Sequence, residues 1–136
     1  MNSRLARMIL LFSVVVLLGM GGMGGVPEGT IPEVEENYSA QIVDREGVVT
    51  AVENFSIDGN LYLVGMRGQG QVTVPLRDLK KLQFENVDAV NVQVRCVLRD
   101  DTSIEINVRR RSVFYGKGDF GVFQIYARHI KQIVFP

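Results

Sequence analysis

The sequence predicts an all-β protein that contains two related β-repeats behind an apolar N-terminal segment. Three observations predict this fold class. Apolar and polar residues alternate along most of the chain, turns rich in glycine and aspartate separate the alternating runs, and one 20-residue segment matches another that lies 51 residues later. The composition agrees, because 46% apolar and 22% charged residues are typical of a packed body and not of a disordered chain.

The strands are predicted from an alternation with a period of two residues. Over residues 90–98 and 104–108, Val, Ile, Leu or Cys takes every second position, and polar residues fill most of the others. Successive side chains of a strand point to opposite faces, so each run predicts one buried and one exposed face. The ten predicted strands are residues 38–43, 47–55, 60–66, 70–76, 80–84, 89–98, 102–109, 112–116, 120–127 and 131–135.

The two halves of this strand pattern resemble each other. A shift of 51 residues places residues 65–84 on residues 116–135, and the apolar positions of the two segments coincide. Five of the 20 aligned pairs are identical: Gly65 and Gly116, Gly70 and Gly121, Arg77 and Arg128, Lys80 and Lys131, and Phe84 and Phe135. A shared apolar phase is what a shared fold requires. We therefore expect β-repeat 1 at residues 38–86 and β-repeat 2 at residues 87–136.

Each repeat also contains the same short link before its last strand. Apolar residues recur at every third position at Leu76, Leu79 and Leu82, and again in the matched segment 127–133. This spacing suits one 3₁₀ turn with its apolar side inward. Five short strands with a 3₁₀ turn before the last resemble an SH3-like barrel, a likeness of fold that implies no function. The expected architecture is two tandem small five-stranded SH3-like barrels or sheets, and the alternative is a single ten-stranded β-sandwich.

The first 25 residues contain the three parts of an export signal. Arg4 and Arg7 precede an apolar run at residues 8–18, and a glycine-rich stretch follows. Residues 1–25 are therefore predicted to be a signal peptide or, alternatively, an N-terminal membrane anchor helix attached through residues 8–26. Both alternatives place the body outside the cytoplasm, because the two arginines favour the inside. We expect a periplasmic or extracellular protein, or a membrane-anchored one with its C-terminal body outside.

An extended linker is predicted between this segment and the body. Residues 26–37 contain Pro27 and Pro32, which resist helix, and four glutamates, which keep the segment solvated. The folded body is therefore expected to begin near Tyr38.

The charge and the rare residue types exclude several classes of function. The chain has 15 basic and 15 acidic residues, and without Arg4 and Arg7 the balance is 13 against 15, or about −2. No strong positive field is then available for nucleic acid. One cysteine, Cys96, cannot form an internal disulfide, and together with one histidine, His129, it does not suggest a zinc site. We expect no metal and no cofactor.

No pattern of residues indicates catalysis. The glycines at residues 65–70 are followed by a strand and not by the lysine and hydroxyl residue of a phosphate-binding loop. His129 lies in a predicted turn and matches Asp78 of the first repeat, which favours a solvent-facing residue over a general base. Cys96 falls on the apolar side of its strand, as a small buried hydrophobe does. We therefore expect a protein that is not an enzyme.

The one concentration of charge is the run Arg109, Arg110 and Arg111, which we predict to lie at a hairpin tip with Lys117 nearby. These four residues are candidates for contact with an anionic partner, such as a polysaccharide or a lipid headgroup, and a solvated turn is the alternative. The function we expect is that of an exported, non-enzymatic, bacterial-type envelope module that binds or scaffolds another protein. The alternative hypothesis is an anionic-ligand module that uses the arginine run. The sequence leaves open the partner, the cleavage of residues 1–25 and the oligomeric state.

Overall fold

A computed structural model describes residues 29–136, and within them the chain forms ten β-strands and two 3₁₀ turns. The strands are β1 Ala40–Asp44, β2 Val49–Ile57, β3 Tyr62–Arg67, β4 Gly70–Pro75, β5 Leu79–Val87, β6 Asn91–Leu98, β7 Ser103–Arg109, β8 Val113–Gly118, β9 Gly121–Tyr126 and β10 Ile130–Val134. The 3₁₀ turns are Leu76–Asp78 and Ala127–His129. The signal or anchor predicted at residues 1–25 lies outside the described residues.

The described strands form one antiparallel sheet in the order β4-β3-β7-β6-β5-β10-β1-β2-β8-β9. The prediction of an all-β fold is confirmed, and the alternation of the sequence explains it. β6, for example, buries Val92, Val94 and Cys96 on one face, while the residues between them are exposed or half-buried.

The two predicted halves do not form separate sheets. β2 of the first half pairs with β8 of the second, and β3 of the first half pairs with β7 of the second. The prediction of two separate tandem barrels is wrong. The links after β2 and β7 lead the chain to the opposite side of the sheet, and not to the strand adjacent to the one that has just ended. The alternative, a single ten-stranded β-sandwich, is also not what the structure shows, because all ten strands lie in one curled sheet and not in two packed sheets.

The sheet curls over one apolar core. Three strands lie between β5 and β8 in the sheet order, and a flat sheet would separate them by roughly 19 Å at about 4.8 Å per strand. The ring centroids of Phe84 on β5 and Phe114 on β8 are nevertheless 5.6 Å apart. Phe55 of β2 joins this cluster, with its ring 6.1 Å from Phe114 and 5.3 Å from Phe135. The curl therefore brings distant strands of the order into one core.

The two 3₁₀ turns lie at the predicted positions and direct their apolar side inward. Six residues at the spacing of three are at most 1% exposed: Leu76, Leu79, Leu82, Ala127, Ile130 and Ile133. Each turn leads into one of the two central strands, β5 or β10, which pair with Leu82 opposite Ile133. The last strand of each half therefore lies at the middle of the sheet.

Two glycines allow neighbouring strands to approach closely where the halves meet. A Cβ on Gly65 of β3 would lie 2.7 Å from Cδ1 of Ile106 on β7. A Cβ on Gly116 of β8 would lie 2.5 Å from Cβ of Val52 on β2. Both distances are below ordinary van der Waals contact, so these positions have no room for a side chain.

We predict that Gly116→Ala lowers the free energy of unfolding by about 1–3 kcal/mol, because Cβ of Val52 is fixed to its backbone and cannot rotate away. Denaturant-induced unfolding measures this change. Gly70→Ala is the matched control, since a Cβ there would meet only the backbone oxygen of Arg67, at an ordinary 3.6 Å. Equal unfolding free energies for the two variants would contradict the close packing of β8 on β2.

Candidate binding surfaces

The arginine run lies where β7 leaves the sheet and crosses toward β8. Arg109 is the last residue of β7, is exposed and lies opposite Asn91 of β6. Arg110 and Arg111 follow in the link to β8. The prediction of a hairpin tip is wrong, because β7 pairs with β6 and β3 while β8 pairs with β2 and β9. The run therefore lies on a crossing connection.

Arg110 holds this connection against the turn between β5 and β6. Its Nη1 donates to the backbone oxygen of Asp88 at 3.0 Å, and its backbone N–H donates to Val90 at 3.0 Å. The N–H groups of Asn91 and Val90 hydrogen-bond to the Asp88 carboxylate and, together with the weaker influence of the Arg110 charge, keep the pKa of Asp88 below its usual value. Arg110 thus has a structural role, whereas Arg111 is exposed.

Lys117 is not part of the same surface. It lies near the far end of β8, opposite Glu53 of β2 and Val122 of β9. It lies six positions after Arg111 in a nearly extended chain, which corresponds to roughly 20 Å. The structure therefore does not bring together the four residues that the sequence analysis grouped.

Other cations take the place of Lys117 beside the run. The backbone N–H of Arg128 donates to the backbone oxygen of Arg110 at 3.2 Å. Arg45 in turn donates from Nε to the backbone oxygen of Arg128 at 2.8 Å and from its backbone N–H to His129 at 3.0 Å. We call this group the basic surface: Arg45, Arg110, Arg111, Arg128 and His129.

The basic surface lacks acidic side chains as direct partners. None of the ion pairs within residues 29–136 involves its members. The guanidinium of Arg128 lies 4.6 Å from the ring centroid of Tyr126, and its Nε donates to Nε2 of His129 at 3.2 Å. These contacts orient the Arg128 guanidinium without neutralising its charge. Sequence reasoning missed Arg45 and Arg128, because only the crossing connection brings them to the run.

A cleft opens between the edge strand β4 and the turn from β6 to β7. Its volume is about 810 Å³. Its floor consists of half-buried or buried apolar residues: Val72, Val74, Leu98 and Ile104. Its rim consists of exposed polar residues: Arg67, Thr73, Asp78, Thr102, Ser103 and Glu105. The cleft therefore combines an apolar base with charges of both signs beside an unpaired strand edge.

The two edges of the sheet differ in character. β4 is one edge and ends at Pro75, which has no backbone N–H to donate. β9 is the other edge, and its sequence GVFQIY contains neither proline nor charge. Next to it, Phe120 is 69% exposed, while Val122 and Tyr126 of β9 itself are 37% and 43% exposed.

Among the described residues, Cys96 and His129 are the side chains that the sequence offers as a nucleophile or a general base. Cys96 is fully buried, and burial raises the pKa of its thiol to about 12, so the thiol stays protonated. His129 is exposed in the second 3₁₀ turn, as expected. Within residues 29–136, no group of three or more His, Cys, Asp or Glu side chains is arranged to hold a metal ion. The same residues contain no helix that is long and apolar enough to cross a membrane.

The fold and these surfaces define an all-β protein with a single curled ten-stranded sheet and two open edges. A family model described as "Uncharacterised protein" matches residues 34–136, which contain all ten strands, and the chain therefore belongs to that family. No curated protein and no solved structure matches the chain.

Proposed function

We propose that the chain is an exported, non-enzymatic module of a bacterial-type envelope and that it binds another protein in the cleft beside β4. The observation that carries this proposal is the cleft itself, with about 810 Å³ of space over an apolar floor at a sheet edge. Residues 1–25 would serve as the export signal or anchor, and residues 26–37 as the linker to the body.

An extended segment of the partner protein suits the chemistry of the cleft. An added strand would hydrogen-bond to the outward backbone groups of β4, and its alternate side chains would enter the apolar floor. Such pairing would end before Pro75, which offers no donor. The exposed Arg67, Asp78 and Glu105 on the rim would select the charges that flank the segment.

We predict that a photoreactive amino acid in place of Thr73, which is exposed on β4, gives a covalent adduct with a different protein when intact cells are irradiated. Mass spectrometry of adducts from the envelope fraction provides the measurement. The matched control is the same amino acid in place of Lys131, which is exposed on the central strand β10 and has strands on both sides. The proposal fails if Thr73 gives no adduct, or if both positions give the same adducts.

We also propose that residues 38–86 and 87–136 are two copies of one fold that have exchanged their β3–β4 and β8–β9 hairpins. If each of the first five strands is exchanged with the strand five places later, the sheet order is the same read from the other end. This symmetry supports an approximate twofold axis at the pairing of β5 with β10, where Leu82 lies opposite its aligned residue Ile133.

Contacts that recur in both halves support the same proposal. Nη2 of Arg45, after β1, donates to the backbone oxygen of Glu85 at 3.1 Å, and Nη2 of Arg99, after β6, donates to that of Pro136 at 2.9 Å. Glu85 and Pro136 are 51 residues apart, as in the sequence alignment. The close approach of Gly65 on β3 to β7 likewise recurs as the close approach of Gly116 on β8 to β2, and the two glycines are also 51 residues apart. Neither copy is then expected to fold without the hairpin of the other.

A second candidate function is the binding of an anionic polysaccharide or lipid headgroup. The observation that favours it is the basic surface, whose cations come from three separate segments and make no ion pair within residues 29–136. Arg111, exposed at the end of the run, would contact the ligand directly.

We predict that Arg111→Ser lowers the salt concentration at which the protein elutes from a polyanion resin. The variant has one positive charge fewer with which to bind the anionic groups of the resin. The unfolding temperature is expected to stay within a few degrees, since an exposed charge contributes little to stability. Lys117→Ser is the control, because it removes the same charge from the other end of β8. Elution of the two variants at the same salt concentration would contradict a specific anionic site at the basic surface.

A further inference from the structure

The edge strand β9 lacks the features that normally protect an exposed edge. Soluble proteins blunt their edges with charged residues, proline or bulges, because unpaired backbone groups otherwise recruit another strand. Residues Gly121–Tyr126 pair regularly with β8 over their whole length and contain none of these features. β4, at the opposite edge, ends in proline. An unprotected, uncharged edge of β-branched and aromatic residues is typical of a strand that has a partner.

We propose that β9 pairs with β9 of a second copy of this chain, antiparallel and about a twofold axis. This inference rests on a different edge from the proposed function, which uses β4. In the dimer, the two sheets would continue into each other, and both β4 edges with their clefts would remain open.

The side chains of β9 complement themselves in this arrangement. With Gln124 placed opposite Gln124 of the second copy, Val122 lies opposite Tyr126 on the same face. On the other face, Phe123 lies opposite Ile125. Pairs of an aromatic and a β-branched residue are among the favourable cross-strand pairs, and two glutamine amides hydrogen-bond to each other. No pair places like charges together, because residues 121–126 carry no charge.

The charges that flank β9 also favour a second copy. Asp119 lies two residues before the strand, while Arg128 follows it in the second 3₁₀ turn. Antiparallel pairing places the beginning of one strand beside the end of the other. Each Asp119 would then lie near the Arg128 of the other copy, once at each end of the pair. The exposed Phe120 beside Asp119 would be covered at the same time.

The dimer is tested with Gln124→Cys in the full chain, kept in a mild detergent. Because the twofold axis places this position opposite itself, we expect a disulfide-linked dimer on mild oxidation, visible on a non-reducing gel. The native Cys96 will not interfere, since it is fully buried. Thr73→Cys is the matched control, because Thr73 holds the aligned position on β4 and is also exposed. A linked dimer from Gln124→Cys alone supports the proposal, and no linked dimer, or equal amounts from both variants, overturns it.

A second variant tests the pairing without a covalent link. Gln124→Lys places two like charges opposite each other and is expected to weaken self-association about fivefold in analytical ultracentrifugation. Thr73→Lys adds the same charge to the other edge and is expected to leave self-association unchanged. A wild-type chain that stays monomeric, or equal effects of the two lysines, overturns the dimer. Adducts from the photoreactive residue at position 73 would persist in that case, so the two proposals can fail separately.

Discussion

The pairing of β5 with β10 is the contact on which the rest of this sheet depends. Each of these strands is the last of its half, and each also pairs with the first strand of the other, β5 with β6 and β10 with β1. Leu82 and Ile133, opposite each other at the centre, are both fully buried. The two strands lie in the middle of the sheet order, so four further strands lie on each side of the pair. A disruption of this pair would separate the sheet into two groups of five.

The hairpins at the ends of the sheet explain why the core is shared. β3 and β4 belong to the first half of the chain but pair beyond β7 of the second, and β8 and β9 pair beyond β2 of the first. The curl then brings Phe55, Phe84, Phe114 and Phe135 into one cluster that draws on both halves. A compact core of this kind gives a chain of this size more buried apolar surface than two separate barrels would.

The strands could be predicted from the sequence because the period of two residues is a local property. Which strands pair with one another could not be predicted, because the pairing depends on the direction that the chain takes after each turn. At Asp58 and Gly59 the backbone adopts positive φ angles and Ile57 bridges to Asn60, as a hairpin would begin. The chain nevertheless leaves after this turn and pairs β3 with β7. The local sequence and backbone conformation of this turn therefore do not distinguish a hairpin from a connection that crosses the sheet.

In β2 the alternation of buried and exposed residues fails for a local reason. Asn54 has a φ of 51°, and the register of β2 against β8 shifts between Glu53 and Ser56. Three consecutive residues, Phe55, Ser56 and Ile57, are consequently buried. A bulge of this kind depends on the partner strand, so the period of β2 alone could not indicate it.

The candidate binding surfaces could be predicted only where they are contiguous in sequence. Arg109, Arg110 and Arg111 stand together in the chain, and the structure keeps them at one end of β7. Lys117 was grouped with them because a hairpin was expected, and the extended strand β8 removes it. The β4 cleft combines residues from the ends of four strands, so no pattern in the sequence marks it.

The proposed exchange of hairpins between the two halves is tested most directly by producing residues 29–89 and 90–136 as separate chains, because this cut lies in the short turn between β5 and β6. Circular dichroism and sedimentation of each fragment alone and of their mixture provide the measurement. We predict that neither fragment is folded alone and that the mixture forms a folded one-to-one complex, since β2 lacks its neighbour β8, and β7 its neighbour β3, until the other fragment binds. Two fragments that fold independently as monomers would contradict the account.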